Sequence, residues 1–111
     1  MKDKGVLIVD DEADFGLLMK EFFSRKGYTV SLANSVATGL TKLQLEKPDV
    51  MLLDNHLPDG LGWAKTEFIL KNYPKTQLIL ISAKEVPKTS SSSFSIFYKP
   101  QIGGELRKMF D

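Results

Sequence analysis

The stretch Val50-Met51-Leu52-Leu53-Asp54 runs directly into Asn55-His56-Leu57-Pro58-Asp59-Gly60, so four apolar residues deliver a carboxylate to the point where regular strand must stop. Pro58 fixes one backbone angle and Gly60 is free to take a positive φ, which makes the second half of the stretch a turn. The same pattern recurs along the chain. Val6-Leu7-Ile8-Val9 ends in Asp10-Asp11 with Glu12 behind them, Leu78-Ile79-Leu80-Ile81 ends in Ser82-Ala83, and Phe94-Ser95-Ile96-Phe97-Tyr98 ends in Lys99-Pro100. Short, nearly continuous apolar runs bounded by turn residues mark strands buried on both faces. If these runs are parallel neighbours, one edge of the sheet collects three carboxylates, a hydroxyl and an ammonium.

The segments between the runs read as helices. Residues 5 to 10 form the first strand, and from Ala13 the apolar positions Phe15, Leu18, Met19, Phe22 and Phe23 recur at helical spacing until Gly27. Tyr28 to Ala33 is a second strand, and Asn34-Ser35 caps a second helix with Val36, Leu40 and Leu43 on one face. A third helix is expected to carry Leu61, Ala64 and Phe68 on one face and to stop at Asn72-Tyr73-Pro74, before a strand over Gln77 to Ile81. Strand and helix alternate, which implies a parallel sheet covered on both faces by right-handed crossovers. The rhythm breaks at Ala83 to Ser93, because a helix of about 11 residues with connections of about 2 to 6 does not fit there. Val86-Pro87 and the run Thr89-Ser90-Ser91-Ser92-Ser93 favour a loop or a single helical turn.

Bulk properties narrow the function. A chain of 111 residues suits one domain, and 42% hydrophobic with 26% charged residues is globular composition. There is no 18-residue apolar span, no secretory leader is expected, and the absence of cysteine excludes disulfides, thiolate metal sites and cysteine nucleophiles. A cytoplasmic setting is expected. The formal net charge of +1 supplies no basic field for nucleic acid, and no membrane association is expected.

Ligands of open α/β sheets bind beyond the carboxyl ends of the strands. Three aspartates there repel one another unless a cation intervenes, and Mg²⁺ suits an oxygen-only set while keeping room for a phosphate oxygen. Asp54 then stands as a carboxylate nucleophile, Lys99 as the neutraliser of a developing phosphoryl charge, and Ser82 as a hydroxyl donor to another phosphoryl oxygen. His56 is the single histidine, without a second histidine or a cysteine to complete a zinc site, and is expected at the pocket rim.

These four elements, Val9-Asp10-Asp11, Asp54 with Leu57-Pro58-Asp59-Gly60, Ser82-Ala83 and Lys99-Pro100, occur in the order that resembles a receiver domain of two-component response regulators. The resemblance covers almost the whole chain. It implies a flavodoxin-like (CheY-like) α/β fold, one five-stranded parallel sheet with helices on both faces, spanning residues 1–111 as one receiver domain with no output domain in this chain. The family has five helices; here the fourth is expected to be reduced or absent. The resemblance further implies that Asp54 accepts a phosphoryl group from a sensor histidine kinase or histidine phosphotransfer protein. Asp10, Asp11, Asp54 and the backbone carbonyl of His56 would hold Mg²⁺, with Ser82 as switch hydroxyl and Lys99 as phosphate partner. Such a domain is no conventional enzyme: it catalyses its own aspartyl phosphorylation and dephosphorylation.

The chain departs from the family on the output side. The strand-five position that carries an aromatic switch residue in the family is Ile96, and the last helix after Gly103-Gly104 is expected to be about two turns carrying Leu106, Met109 and Phe110. Three outputs stay open: a switch acting on a downstream protein partner, a phosphate sink or shuttle, and a module that binds a kinase whether phosphorylated or not.

Overall fold

The computed structural model describes residues 4–86 and 93–111. Five strands form one sheet: β1 (Gly5–Val9), β2 (Thr29–Ala33), β3 (Val50–Asp54), β4 (Gln77–Ser82) and β5 (Phe94–Tyr98). Every pairing is parallel and the spatial order is β2-β1-β3-β4-β5. The chain winds outward from β1 to β2 and then in the opposite direction through β3, so a crevice opens beyond the ends of β1 and β3. Val9 pairs with Leu53 and Ile81 with Asp54, which brings the ends of three strands level.

Alternation along the strands divides the core into two layers. Val6, Ile8, Val50, Leu52, Ile79, Ile81 and Phe97 pack under α1 (Ala13–Arg25) and α4 (Ile102–Phe110), where Met19, Phe23, Ile102 and Leu106 are also buried. Leu7, Val9, Met51, Leu53, Leu78 and Leu80 pack under α2 (Val36–Glu46) and α3 (Thr66–Asn72), with Leu43 and Ile69. Both faces of the sheet are therefore covered, as the apolar runs require. Ser35 caps α2 by accepting a hydrogen bond from Thr38 N–H at 3.1 Å. Phe23, fully buried, meets Tyr28 and Phe110 edge-on at ring separations of 5.5 and 5.2 Å, and so ties α1 to the start of β2 and to α4.

The third helix differs from its sequence reading. Leu61 is 55% and Phe68 49% exposed, and Ala64 is also exposed, whereas Ile69 is buried with Trp63, Leu70 and Tyr73 packed beside it. The reason is a change of period. Gly62–Lys65 forms a 3₁₀ turn and the α-helix starts only at Thr66, so a 3.6-residue count begun at Leu61 falls out of phase. On α1, Leu18 likewise faces solvent, and Gly16 takes the inward place against Leu32. The last helix is nine residues long and starts at Ile102, with both glycines in its first turn. The expected loop between Ala83 and Ser93 falls mostly on residues 87–92, outside the described residues; Ala83 to Val86 contain no helix.

Truncating Phe23 to alanine removes the ring shared by three elements and is expected to lower the unfolding free energy by about 3–4 kcal/mol in urea titrations, while Leu18→Ala stays within about 0.5 kcal/mol.

Candidate functional site

The strand ends place the sequence-predicted side chains together. Asp10 follows β1, Asp54 closes β3, Ser82 closes β4 and Lys99 follows β5. Carboxylate oxygens of Asp10, Asp11 and Asp54 lie within 4.8 Å of one another, with Asp10 and Asp54 buried and Asp11 exposed. Asp10 is held by its backbone, whose N–H donates to Ala33 C=O at 2.9 Å, and its Oδ1 accepts from Glu12 N–H at 2.8 Å. Its Oδ2 is buried and accepts no hydrogen bond of normal geometry, although Lys99 Nζ approaches it to 2.7 Å. Three carboxylates offering oxygen atoms this close together are the kind of donor set a hard divalent cation takes.

Lys99 is the counter-charge inside the cluster. Its side chain is 9% exposed, and Nζ lies 2.6 Å from Glu12 Oε1, 2.7 Å from Asp10 Oδ2 and 3.7 Å from Asp54 Oδ2, with the Phe15 ring centroid at 4.8 Å. Burial alone would lower the lysine, but the contacts with Asp10 and Glu12 and the charges of Asp10 and Asp54 outweigh it and hold the ammonium above its usual value. The opposite holds for Asp54. Burial first, and then the charges of Asp10 and Asp11, push Asp54 up to about 6 against the lowering effects of Lys99 and the Asn55 N–H. It is thus mostly ionised at neutral pH.

The loop after Asp54 is tightly built. Gly62 N–H donates to Asn55 C=O at 2.8 Å, Trp63 N–H to Asn55 Oδ1 at 3.1 Å, and Trp63 Nε1 to Leu53 C=O at 3.0 Å. A Cβ on Gly62 would stand 2.1 Å from Asp54 O, so only glycine allows the loop to close over the strand end. His56 sits in a two-residue strand paired with Gly60-Leu61, its side chain exposed. Ser82 is buried and its Oγ accepts from Lys84 N–H at 3.0 Å.

The profile described as response regulator receiver domain matches residues 6–97. The chain belongs to that family. Among curated relatives, this receiver domain is 32% identical over 80 residues to the acid tolerance regulatory protein ActR of Rhizobium meliloti, covering 72% of this chain and 41% of that protein. It is also 32% identical over 81 residues to the chemotaxis protein CheY of Thermotoga maritima, covering 72% of this chain and 68% of that one. The chain thus spans about two fifths of the length of ActR. The response regulator TrrA of Thermotoga maritima, solved with Mg²⁺-BeF, shares the fold at a TM-score of 0.75 and 23% identity over 96% of this chain and 98% of that one. TrrA in complex with the histidine kinase ThkA gives 0.74 and 23%, over 97% of this chain and 99% of that one.

Several residues of this receiver site were not singled out from sequence. Asp59, read as a turn residue, accepts from Val36 N–H at 2.7 Å and Ala37 N–H at 3.0 Å, and so caps α2 from the acceptor loop; these bonds hold its carboxyl below the usual range. Trp63 and Gly62 lock the loop, and Glu12 grips Lys99 from 87 residues away in sequence. Gly62 and Trp63 carried a local signal, since a glycine beside the acceptor turn marks close backbone approach. Glu12 and Asp59 carried none, because their partners are distant in the chain. Ile96, at the position expected to hold a switch aromatic, is half-buried with Phe94 on the α2 and α3 side, while Phe97 is buried on the opposite side.

The raised pKa of Asp54 has a direct consequence for stability. Because the folded value lies above the unfolded one, ionising Asp54 costs the metal-free fold as pH rises from about 4 to above 6. Asp54→Asn is expected to unfold later than the unaltered protein at pH 7.5 in chelator, by an amount on the order of 2 kcal/mol, with the gap closing near pH 4. Gly62→Ala is expected to lose several degrees of thermal midpoint and to perturb the Trp63 emission through displacement of the acceptor loop.

Proposed function

We propose that the chain is a phosphoacceptor in two-component phosphorelay signalling, with Asp54 as the residue that receives the phosphoryl group. One observation carries the reading: a buried carboxylate at the end of β3 shares its pocket with two more carboxylates and a buried ammonium. In the reaction, a carboxylate oxygen of Asp54 attacks the phosphorus of a phosphohistidine in line. The new O–P bond forms as the P–N bond breaks, and the histidine leaves with the electron pair and takes up a proton. Lys99, already 3.7 Å from Asp54, moves onto a phosphoryl oxygen, and the Ser82 hydroxyl donates to another.

The residues that would hold Mg²⁺ are Asp10, Asp11, Asp54 and the backbone carbonyl of His56. When bound, the ion would neutralise the carboxylate cluster and the phosphoryl oxygens, which is the role oxygen-rich Mg²⁺ sites play in phosphoryl transfer. The TrrA structure with Mg²⁺-BeF supports a divalent ion in such a domain, and the ThkA–TrrA complex supports a histidine kinase as donor; a histidine phosphotransfer protein would be an equivalent source. Dephosphorylation is the attack of water on the same phosphorus, which His56 at the rim is placed to modulate. Output runs to a protein partner in the cytoplasm, without nucleic-acid or membrane contact by residues 1–111, a reading supported by the near-neutral charge. No helix among the described residues is long and apolar enough to cross a membrane.

Ile96 favours a second reading, a phosphate sink or shuttle. A branched aliphatic side chain lacks the ring that would swing between exposed and inward positions, so acceptor chemistry is intact where the usual transmission is missing.

Incubation with Mg²⁺ and a small phosphodonor is expected to add one phosphoryl mass to the unaltered protein and none to Asp54→Asn. A chain that gains no mass, or a variant that gains it equally, would overturn the assignment. In the phosphorylated protein, amide shifts confined to the pocket favour the sink, and shifts extending along β5 favour the switch.

A further inference from the structure

Lys99 is shared among partners that do not all belong to the acceptor chemistry. Of its two contacts below 3 Å, Asp10 lies in the carboxylate cluster, but Glu12 lies outside it. Glu12 is the residue before α1, its side chain makes no capping bond to that helix, and it is 60% exposed. Its carboxylate therefore serves no helix cap and stands against the outer side of a nearly buried ammonium. The distances rank the partners: 2.6 Å to Glu12 and 3.7 Å to Asp54. An ammonium has three donors, and here one short contact is committed to a carboxylate that plays no part in binding phosphate.

We propose that Glu12 is a positioning residue that holds Lys99 off the acceptor until a phosphoryl group displaces it, and so sets how tightly the site binds that group. The proposal rests on the phosphoacceptor reading of Asp54. Glu12 and Asp10 already engage two of the three ammonium donors, so a phosphoryl oxygen on Asp54 competes with Glu12 for the position of Lys99. Because Glu12 is exposed, that contact is a weak latch: it biases the equilibrium without blocking it. Phe15 packs against the same ammonium at 4.8 Å, so Glu12 is not the sole support of Lys99 outside the carboxylate cluster.

Two variants separate a contact from a mere negative field. Glu12→Gln removes the charge, and Glu12→Asp keeps it on a side chain one methylene shorter that no longer reaches Nζ. Beryllofluoride with Mg²⁺ serves as the phosphoryl probe, followed by the emission of Trp63, the single tryptophan, whose indole N–H bonds Leu53 C=O beside Asp54. Both variants are expected to bind about two- to five-fold more tightly than the unaltered protein, with thermal midpoints unchanged. Unchanged or weaker binding by Glu12→Gln would overturn the proposal while leaving the acceptor reading intact. Tighter binding by Glu12→Gln alone, with Glu12→Asp equal to the unaltered protein, would also overturn it, since charge without contact would then suffice. If the unaltered protein binds no probe at all, the acceptor reading itself fails and the latch fails with it.

Discussion

Three carboxylates forced into one pocket are the constraint on which the rest of the structure depends. Asp10 and Asp54 are buried within 4.8 Å of each other and of Asp11, an arrangement that like charges resist. The structure answers with one buried ammonium, Lys99, and with backbone donors to Asp10 and Asp54. The compensation is incomplete. Asp54 rises to about 6 and Asp10 Oδ2 keeps an unsatisfied lone pair, so the metal-free pocket is poised to take up positive charge. Stability is given up at the strand ends, where the carboxylates stand closer than their charges favour.

The sheet makes that crowding possible. Parallel strands buried on both faces end at the same level, and the reversal of winding between β1 and β3 leaves their ends uncovered by a crossover. The two core layers then fix the ends in place, with α1 and α4 on one side and α2 and α3 on the other. Around the acceptor the loop is held from three directions: by Gly62 against Asp54 O, by Trp63 to Leu53 and Asn55, and by Asp59 to the start of α2. The loop after Asp54 is thereby tied to α2 as well as to β3.

Much of this was legible in the chain. Continuous apolar runs ending in Asp10-Asp11, Asp54, Ser82 and Lys99 specify strand ends directly, because a doubly buried strand must be apolar throughout and its first polar residue marks the edge. The third helix was misread at Leu61, Ala64 and Phe68, since periodicity cannot reveal that a 3₁₀ turn precedes the α-helix or that Gly62 must face the backbone of Asp54. The hold of Glu12 on Lys99 and the cap of Asp59 on α2 were hidden for another reason. Each joins loops that only the closed fold brings together, and nothing local distinguishes either carboxylate from a solvated one.

The pocket side of the molecule is thus densely determined, while β5 places the aliphatic Ile96 between Phe94 and Phe97. The central claim is that the pocket's excess negative charge is built to be neutralised by a divalent cation. Calorimetric titration of the metal-free protein with Mg²⁺ at pH 7.5 tests it most directly. The account predicts saturable binding of one ion, lost in Asp10→Asn; a protein that binds no Mg²⁺, or binds it equally well without the Asp10 charge, would contradict it.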